Sequence, residues 1–444
     1  MRLLSALPER FDVAVVGGGM AGIAAALAAA ASGARTLLLE RDDALGGNVS
    51  QALVHTLCGL YLAAEAGDAI PANPGFPQRF AAILRSAGAA GDPERAGRVW
   101  VLPTDPPRVA AAALRLCEQT RGLDLRLGHE LVGAELAIRG SGPQRLRVRS
   151  ARAGERELAA SVVVDASGDA VAAALGGAAT EMADPEALQL PSYIFRLSDV
   201  DTAALEELQG FGRLRVTSAV AGAVRSGALP AGCEAVLVRP SFEAGRIYVT
   251  LNLPRPGEGD YAPLRPECAA ALRDRARAAA ERVVAFLRQT RPAFEKCRVD
   301  AWPARVGVRE TRRVCARDPV SAADVRTGRR RDDEVALSTW PIELWQDHRK
   351  ARFEHPVGPC SLPLGALISR SHPRLAMAGR CLGADREALG ALRVLGAALA
   401  SGEAAGIAAA LAADAGTPLA GVAAERVRHH ILERARAAGD CGRV

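Results

Sequence analysis

The sequence predicts an α/β fold in which a parallel sheet is assembled from both ends of the chain and a β-rich (α+β) region is inserted between them. Three observations predict it. Near the N-terminus, an apolar run Phe11-Asp12-Val13-Ala14-Val15-Val16 ends in glycines and leads into an Ala-rich stretch. Far downstream, Leu375-Ala376-Met377-Ala378-Gly379 precedes a second, nearly all-apolar stretch from Gly390 to Ala413. Between them, beyond about residue 180, the composition shifts to short strand-like runs separated by Pro and Gly.

The first run has the continuous apolar character of a parallel strand buried on both faces. Met20 to Ser32 reads as a helix with Gly33 as its exit, and Arg35 to Glu40 as the next strand. Together they form a βαβ unit of about 30 residues. From Gly46 to Gly97 small and polar residues predict loop with short helices. Pro107–Arg121 reads as helix, Leu123–Leu127 and Leu131–Ile138 as strands. Leu146–Ser150 and Glu157–Val164 form a β pair leading into Asp165-Ala166-Ser167-Gly168-Asp169. In the insert, Pro191–Leu197, Ala235–Arg239 and Arg246–Leu253 read as strands. Pro266–Thr290 reads as a long helix with an exposed charged face. The expected division is 1–180 with 355–415 as one discontinuous domain, 181–354 as a second, and 416–444 as a C-terminal helix and tail.

Composition narrows the function classes. The 444 residues carry 56 Lys+Arg against 50 Asp+Glu, and the basic excess is almost wholly Arg, since Lys296 and Lys350 are the only lysines. The densest basic block, Arg329-Arg330-Arg331, is offset at once by Asp332-Asp333-Glu334, which reads as a solvated surface and not as a nucleic-acid face. Nine scattered cysteines without a C-x-x-C pair argue against a zinc site or a disulfide framework and fit reduced thiols. The opening Met1–Arg10 is too short and charged for a signal peptide, and the most apolar stretch, Val13–Leu39, is broken by glycines, Ser32 and Arg35. A soluble, cytoplasmic protein without membrane or nucleic-acid partners is the expectation.

The chemistry-bearing motif is Gly17-Gly18-Gly19-Met20-Ala21-Gly22, a G-x-G-x-x-G between strand and helix. Gly17 allows the tight turn, Gly19 lets a pyrophosphate approach the backbone, and Gly22 lets helix pack on strand. The helix N-terminus offers free N–H groups to phosphates. Glu40, at the end of the second strand, is placed to accept hydrogen bonds from ribose hydroxyls.

With Gly46-Gly47 following Glu40-Arg41, these residues resemble the FAD-binding half of the glutathione-reductase-like flavoprotein superfamily. Val162–Asp169 resembles the strand and Gly-Asp turn that returns beside the first βαβ unit. Ala376–Cys381, followed by Gly390-Ala391-Leu392-Arg393, resembles the strand and helix N-terminus that close over the flavin. Arg305–Arg313, Trp340-Pro341-Ile342-Glu343 and Ala378–Cys381 resemble, more narrowly, the bacterial FAD-dependent oxidoreductase family. The resemblance implies a Rossmann-like FAD-binding domain of discontinuous segments. It also implies FAD contacts from Gly17, Gly19, Met20, Ala21, Gly22, Glu40, Arg41, Gly46, Gly47, Asn48, Val132, Ala166, Ser167, Gly168, Gly379, Arg380, Gly390 and Leu392. No second G-x-G-x-x-G marks an NAD(P)H domain.

His55 and Cys58 stand three apart in a Gly-bounded loop after the Gly-Gly turn. They are candidates for an acid/base group over the flavin or for a covalent bond to it; the alternative is a hydrogen-bonded loop histidine and a cysteine packed as a small hydrophobe. Arg309 is the candidate anchor for a substrate carboxylate, against the alternative of an ion-pair cluster with Glu310, Arg312 and Arg313. If the segment is a strand, Arg309 and Arg313 share a face. His355 is a lesser candidate base, and histidines 129, 348, 372, 429 and 430 are expected at the surface. The expected reaction is hydride transfer from a small organic substrate to flavin N5, with electrons passed to O₂ or another, unidentified acceptor. A monooxygenase reduced by NAD(P)H, a tRNA-associated flavoprotein and a flavin-binding partner subunit are the alternatives; oligomeric state is left open.

Overall fold

The computed structural model describes residues 8–63, 67–138, 142–201, 213–255 and 261–437. The readings of the extreme N-terminus, of Cys441 and of the tail beyond 437 lie outside them.

The central strand β1 (Glu9–Val16) is flanked by two parallel neighbours, β2 (Thr36–Leu39) and the C-terminal part of Gly154–Asp165. The parallel part of the sheet runs Leu123–Arg126, β2, β1, Gly154–Asp165, Leu375–Met377. Val13, Val15, Val162 and Val164 are fully buried because helices cover one face and further chain the other, which accounts for the lack of alternation in these segments. The first half of Gly154–Asp165 pairs antiparallel with Gln144–Ser150, and that strand with His129–Glu135. Gln144–Ser150 alternates buried and exposed residues, as a strand with one wet face should.

Helix α1 (Met20–Ala31) packs against Leu395–Asp414 at backbone distance. A Cβ at Gly402 would lie 2.1 Å from the Ala21 carbonyl oxygen, and one at Gly406 2.1 Å from that of Ala25. Glycines one turn apart thus let the two helices touch main chain to main chain. Leu395–Asp414 is long and apolar enough to cross a membrane by length and composition, and 94% of its apolar window is buried inside the fold. The nearly all-apolar stretch from Gly390 to Ala413 predicts one long helix. The chain instead forms Arg386–Leu392, breaks at Arg393-Val394, and restarts at Leu395. Packing forces the break. Val394 is extended, Gly396 seats against the Gly59 carbonyl where any Cβ would clash, and Arg393 turns toward Glu343.

The insert contains a four-stranded antiparallel sheet, ordered Val236–Pro240, Ile247–Asn252, Ser192–Ser198, Arg298–Ala301. Tyr193, Phe195, Leu197, Val249 and Leu251 on one face form a second core with Val283 and Leu287 of the long helix Pro266–Thr290. Alternate residues, Ile194 and Tyr248 among them, face the other way and pack on Leu53. Arg305–Arg312 is not a strand, and only Arg313–Val314 joins a ladder. Hence Arg309 and Arg313 do not share a face: Gly307 bridges to Ser192 and holds this stretch against the edge of the insert sheet.

Candidate cofactor and substrate site

Two glycine turns lie side by side at the C-terminal end of β1. Gly17 has φ +102°, and a Cβ there would stand 2.7 Å from the Ala166 carbonyl oxygen. At Gly22 it would stand 1.7 Å from the Gly17 carbonyl oxygen, so α1 begins flush against the loop. The Gly46 N–H donates to the Gly18 carbonyl at 2.8 Å, and the Gly47 turn passes so close that a Cβ would lie 3.0 Å from Gly19 Cα. Gly19 leaves open backbone at the mouth of α1, whose N-terminus carries neither a side-chain cap nor an acidic residue in its first turn. That is the electrostatic setting for a phosphate.

Glu40 accepts the Gly18 N–H at 2.7 Å and the Asp42 N–H at 2.9 Å, while burial pushes its carboxyl above the ordinary range. Opposite, Asp165 accepts Ser167 Oγ at 2.6 Å and the Ala173 N–H at 2.9 Å, fixing the Ala166–Asp169 turn. Arg380 completes this wall through an ion pair with Asp169 at 2.6 Å.

These turns open into one cavity of about 1190 Å³ that continues beneath the insert sheet. Its lining includes Gly17, Gly19, Met20, Ala21, Glu40, Arg41, Gly46, Gly47, Asn48, Ala166, Ser167, Gly168, Gly379 and Arg380, together with His55, Cys58 and Arg309. Four expected contacts fall outside it. Gly22 serves the packing of α1. Val132 lies outside the lining, which takes Glu130 and Leu131 of the same strand; the ladder with Gln144–Ser150 shifts register between Leu131 and Gly133, so simple alternation does not hold at Val132. Gly390 packs on the Glu343 backbone and Leu392 is buried in the core; the helix break puts Arg393, Val394 and Leu395 at the cavity instead.

The far end holds the reactive groups. His55 is buried and stacks on Tyr248, with ring centroids 4.0 Å apart and planes 3° from parallel. Burial, helped by the Arg239 charge, pulls its imidazole down to about 3, so it is neutral. Burial, with Glu343 nearby, pushes the Cys58 thiol up to about 11, so it is not a thiolate at neutral pH. Arg309 lies over the Trp345 ring at 4.5 Å and donates to the Leu190 carbonyl and, at 2.8 Å, to Asn252 Oδ1. Burial and Arg393 pull its guanidinium down to about 9. Arg313 follows the ion-pair alternative, pairing with buried Glu310 at 3.2 Å, whereas Arg312 donates to the Asp169 backbone carbonyl.

Sequence reasoning missed the role of Glu343, which accepts the indole N–H of Trp340 at 2.8 Å and of Trp345 at 2.5 Å. Burial alone would raise its carboxyl, but Arg393, Trp345 and Arg309 outweigh it and hold the group ionised. The Trp-Pro-Ile-Glu spelling was a usable signal, because strand alternation puts Glu343 and Trp345 on one face. Arg239 gave no local signal. His355 is exposed and outside the lining. Two histidines expected at the surface are not there: His129 lines the cavity and His372 is buried, while half-buried His348 pairs with Glu234 at 2.8 Å.

The model for the FAD dependent oxidoreductase family matches residues 12–431, and the chain belongs to that family; FAD is its cofactor. Among solved structures it is similar to the p-nitrophenol 4-monooxygenase PnpA from Pseudomonas putida DLL-E4, with 14% identity, a TM-score of 0.46, and coverage of 96% of this chain and 85% of that one. It is also similar to a geranylgeranyl bacteriochlorophyll reductase-like protein from Thermoplasma acidophilum (15%, 0.44, 96% and 84%) and to the myxobacterial chondrochloren halogenase CndH (15%, 0.39, 97% and 80%).

Proposed function

We propose that this protein is an FAD-dependent dehydrogenase or oxidase that oxidises a C–H bond of a small organic substrate and returns the electrons to O₂ or another acceptor. The observation behind this reading is the single cavity that joins the glycine cradle to a wall of His55, Cys58, Arg309, Trp340, Glu343 and Trp345. FAD, when bound, supplies the two-electron acceptor. The open Gly19 backbone, the uncapped α1 and Glu40 would hold its nucleotide half, and Ala166–Gly168, Gly379 and Arg380 would border the remainder. The segment 181–354 would supply most of the substrate side.

The chain's own contribution is positioning. Arg309 over Trp345 and the ionised Glu343 between two indoles form a hydrogen-bonded wall that would limit the access of water to the reacting centre. His55, neutral and with Nε2 lacking a protein partner, would receive the substrate's proton at that atom. The test is anaerobic reduction followed at ~450 nm, the flavin band. Bleaching by an organic substrate without pyridine nucleotide supports the proposal. Bleaching by NAD(P)H alone, with an oxygenated product on admitting air, would replace it with the monooxygenase reading. A salt-dependent shift of tRNA would replace it with a nucleic-acid reading.

A further inference from the structure

Two polar groups on the insert side of the cavity are left without hydrogen-bond partners among the described residues, and they stand next to each other. The register of the insert sheet places Arg239 directly across from Tyr248, the residue on which His55 stacks. Cross-strand neighbours on one face have Cβ atoms about 5 Å apart. Arg239 is also near enough to His55 and Cys58 to act on both electrostatically. Arg239 is half-buried and makes no hydrogen bond or ion pair with any described residue. The other half-buried guanidiniums of the lining are all engaged, for example Arg305 with Asp42, Arg380 with Asp169 and Arg393 with Glu343.

The second group is His55 Nε2. His55 is only 6% exposed, and this nitrogen has no hydrogen-bond partner among the described residues. Nδ1 lies 3.3 Å from the Leu53 carbonyl, which can only accept, so Nδ1 carries the proton and Nε2 presents a lone pair. Around the pair, the sheet face and the His55 loop contribute Ile194, Leu237 and Val54 to the lining, and Leu237 remains 48% exposed at the rim. A buried acceptor and an unneutralised guanidinium beside an apolar surface define their ligand by complement.

We infer that Arg239 and His55 form the substrate-recognition site for a small organic acid, the carboxylate on Arg239 and a neighbouring hydroxyl or amino group donating to His55 Nε2, with the apolar body on the sheet face. The inference deepens the proposed function and rests on its reading of the cavity. It moves the anchor from Arg309, which Leu190 and Asn252 already hold, to a guanidinium with its donors free.

The test measures binding to the purified, flavin-loaded protein by calorimetry with three probes that have no hydrogen on the reacting carbon. These are 2-hydroxy-2-phenylpropanoate, 2-methyl-2-phenylpropanoate and the neutral 2-phenyl-2-propanol. Both acids should bind more tightly than the alcohol, and the hydroxy acid about tenfold more tightly than the other. Arg239→Gln should weaken both acids by ~10- to 100-fold and leave the alcohol unchanged, with Arg239→Lys recovering part of the loss. His55→Phe should remove only the advantage of the hydroxyl. An alcohol that binds the unsubstituted protein as well as the acids do overturns the inference, even if no variant folds. So does Arg239→Gln protein that keeps its affinity for the acids, or one that loses flavin, which would give Arg239 to the cofactor. A flavin-loaded protein that is bleached by an organic substrate but discriminates none of the probes sinks this inference alone. Bleaching by NAD(P)H only sinks the proposed function while the probe affinities stand.

Discussion

Glu403 sits in the middle of the apolar helix Leu395–Asp414, only 4% exposed, and accepts the Phe76 N–H at 2.9 Å. Burial pushes its carboxyl up to about 7 from 4.5, against smaller opposing pulls from that N–H, Arg434 and Arg79. A carboxyl raised on folding binds its proton more tightly in the native state, so stability is fullest below about 4.5 and falls as pH rises through 7. The gap corresponds to roughly 3 kcal/mol at pH 8 and above. Glu403→Gln keeps an oxygen for Phe76 and removes the charge. Urea denaturation from pH 4.5 to 9 should show the variant and the unsubstituted protein equal at the acid end. They should then diverge in the variant's favour and reach a plateau above pH 8. Parallel curves would refute the burial argument. A variant less stable at pH 8 would show an ionised Glu403 paired with Arg434.

Gly402→Ala forces a methyl group to within 2.1 Å of the Ala21 carbonyl and should cost roughly 1–3 kcal/mol or more while lowering flavin content, because Ala21 lines the cavity. Gly421→Ala, whose Cβ would find nothing nearer than 3.6 Å, is the control for thermal melting and flavin absorbance. Since Cys58 is held as a thiol, acid precipitation should leave the flavin in the supernatant, equally for Cys58→Ser. A yellow pellet that disappears with His55→Ala would instead bind the flavin to that imidazole.

The parts legible in the sequence are those whose causes are local. The strand, glycine turn and helix from Phe11 to Ser32 follow from burial, φ and helix propensity within a few residues, and the long helix Pro266–Thr290 follows from its own Arg/Ala-rich stretch with a charged face. What escaped depends on distant partners. Val394 breaks a helix because Gly59, remote in the chain, presses on Gly396. Arg239 matters because a strand register sets it opposite Tyr248, and in a chain so rich in arginine nothing nearby tells a free guanidinium from a paired one. Likewise nothing local in the sequence marks the Leu190 carbonyl and Asn252 Oδ1, distant in the chain, as acceptors for Arg309.

The pair of indoles on Glu343 has an optical consequence. The chain has four tryptophans, and Trp340 and Trp345 both line the cavity, donating to one carboxylate. Half of the indole fluorophores therefore lie on the wall of the cavity proposed for the flavin and its substrate. Their emission should be quenched by energy transfer when the yellow cofactor is in place, and should brighten as it leaves. A stopped-flow fluorimeter can thus follow cofactor loading in the native chain, with no label attached.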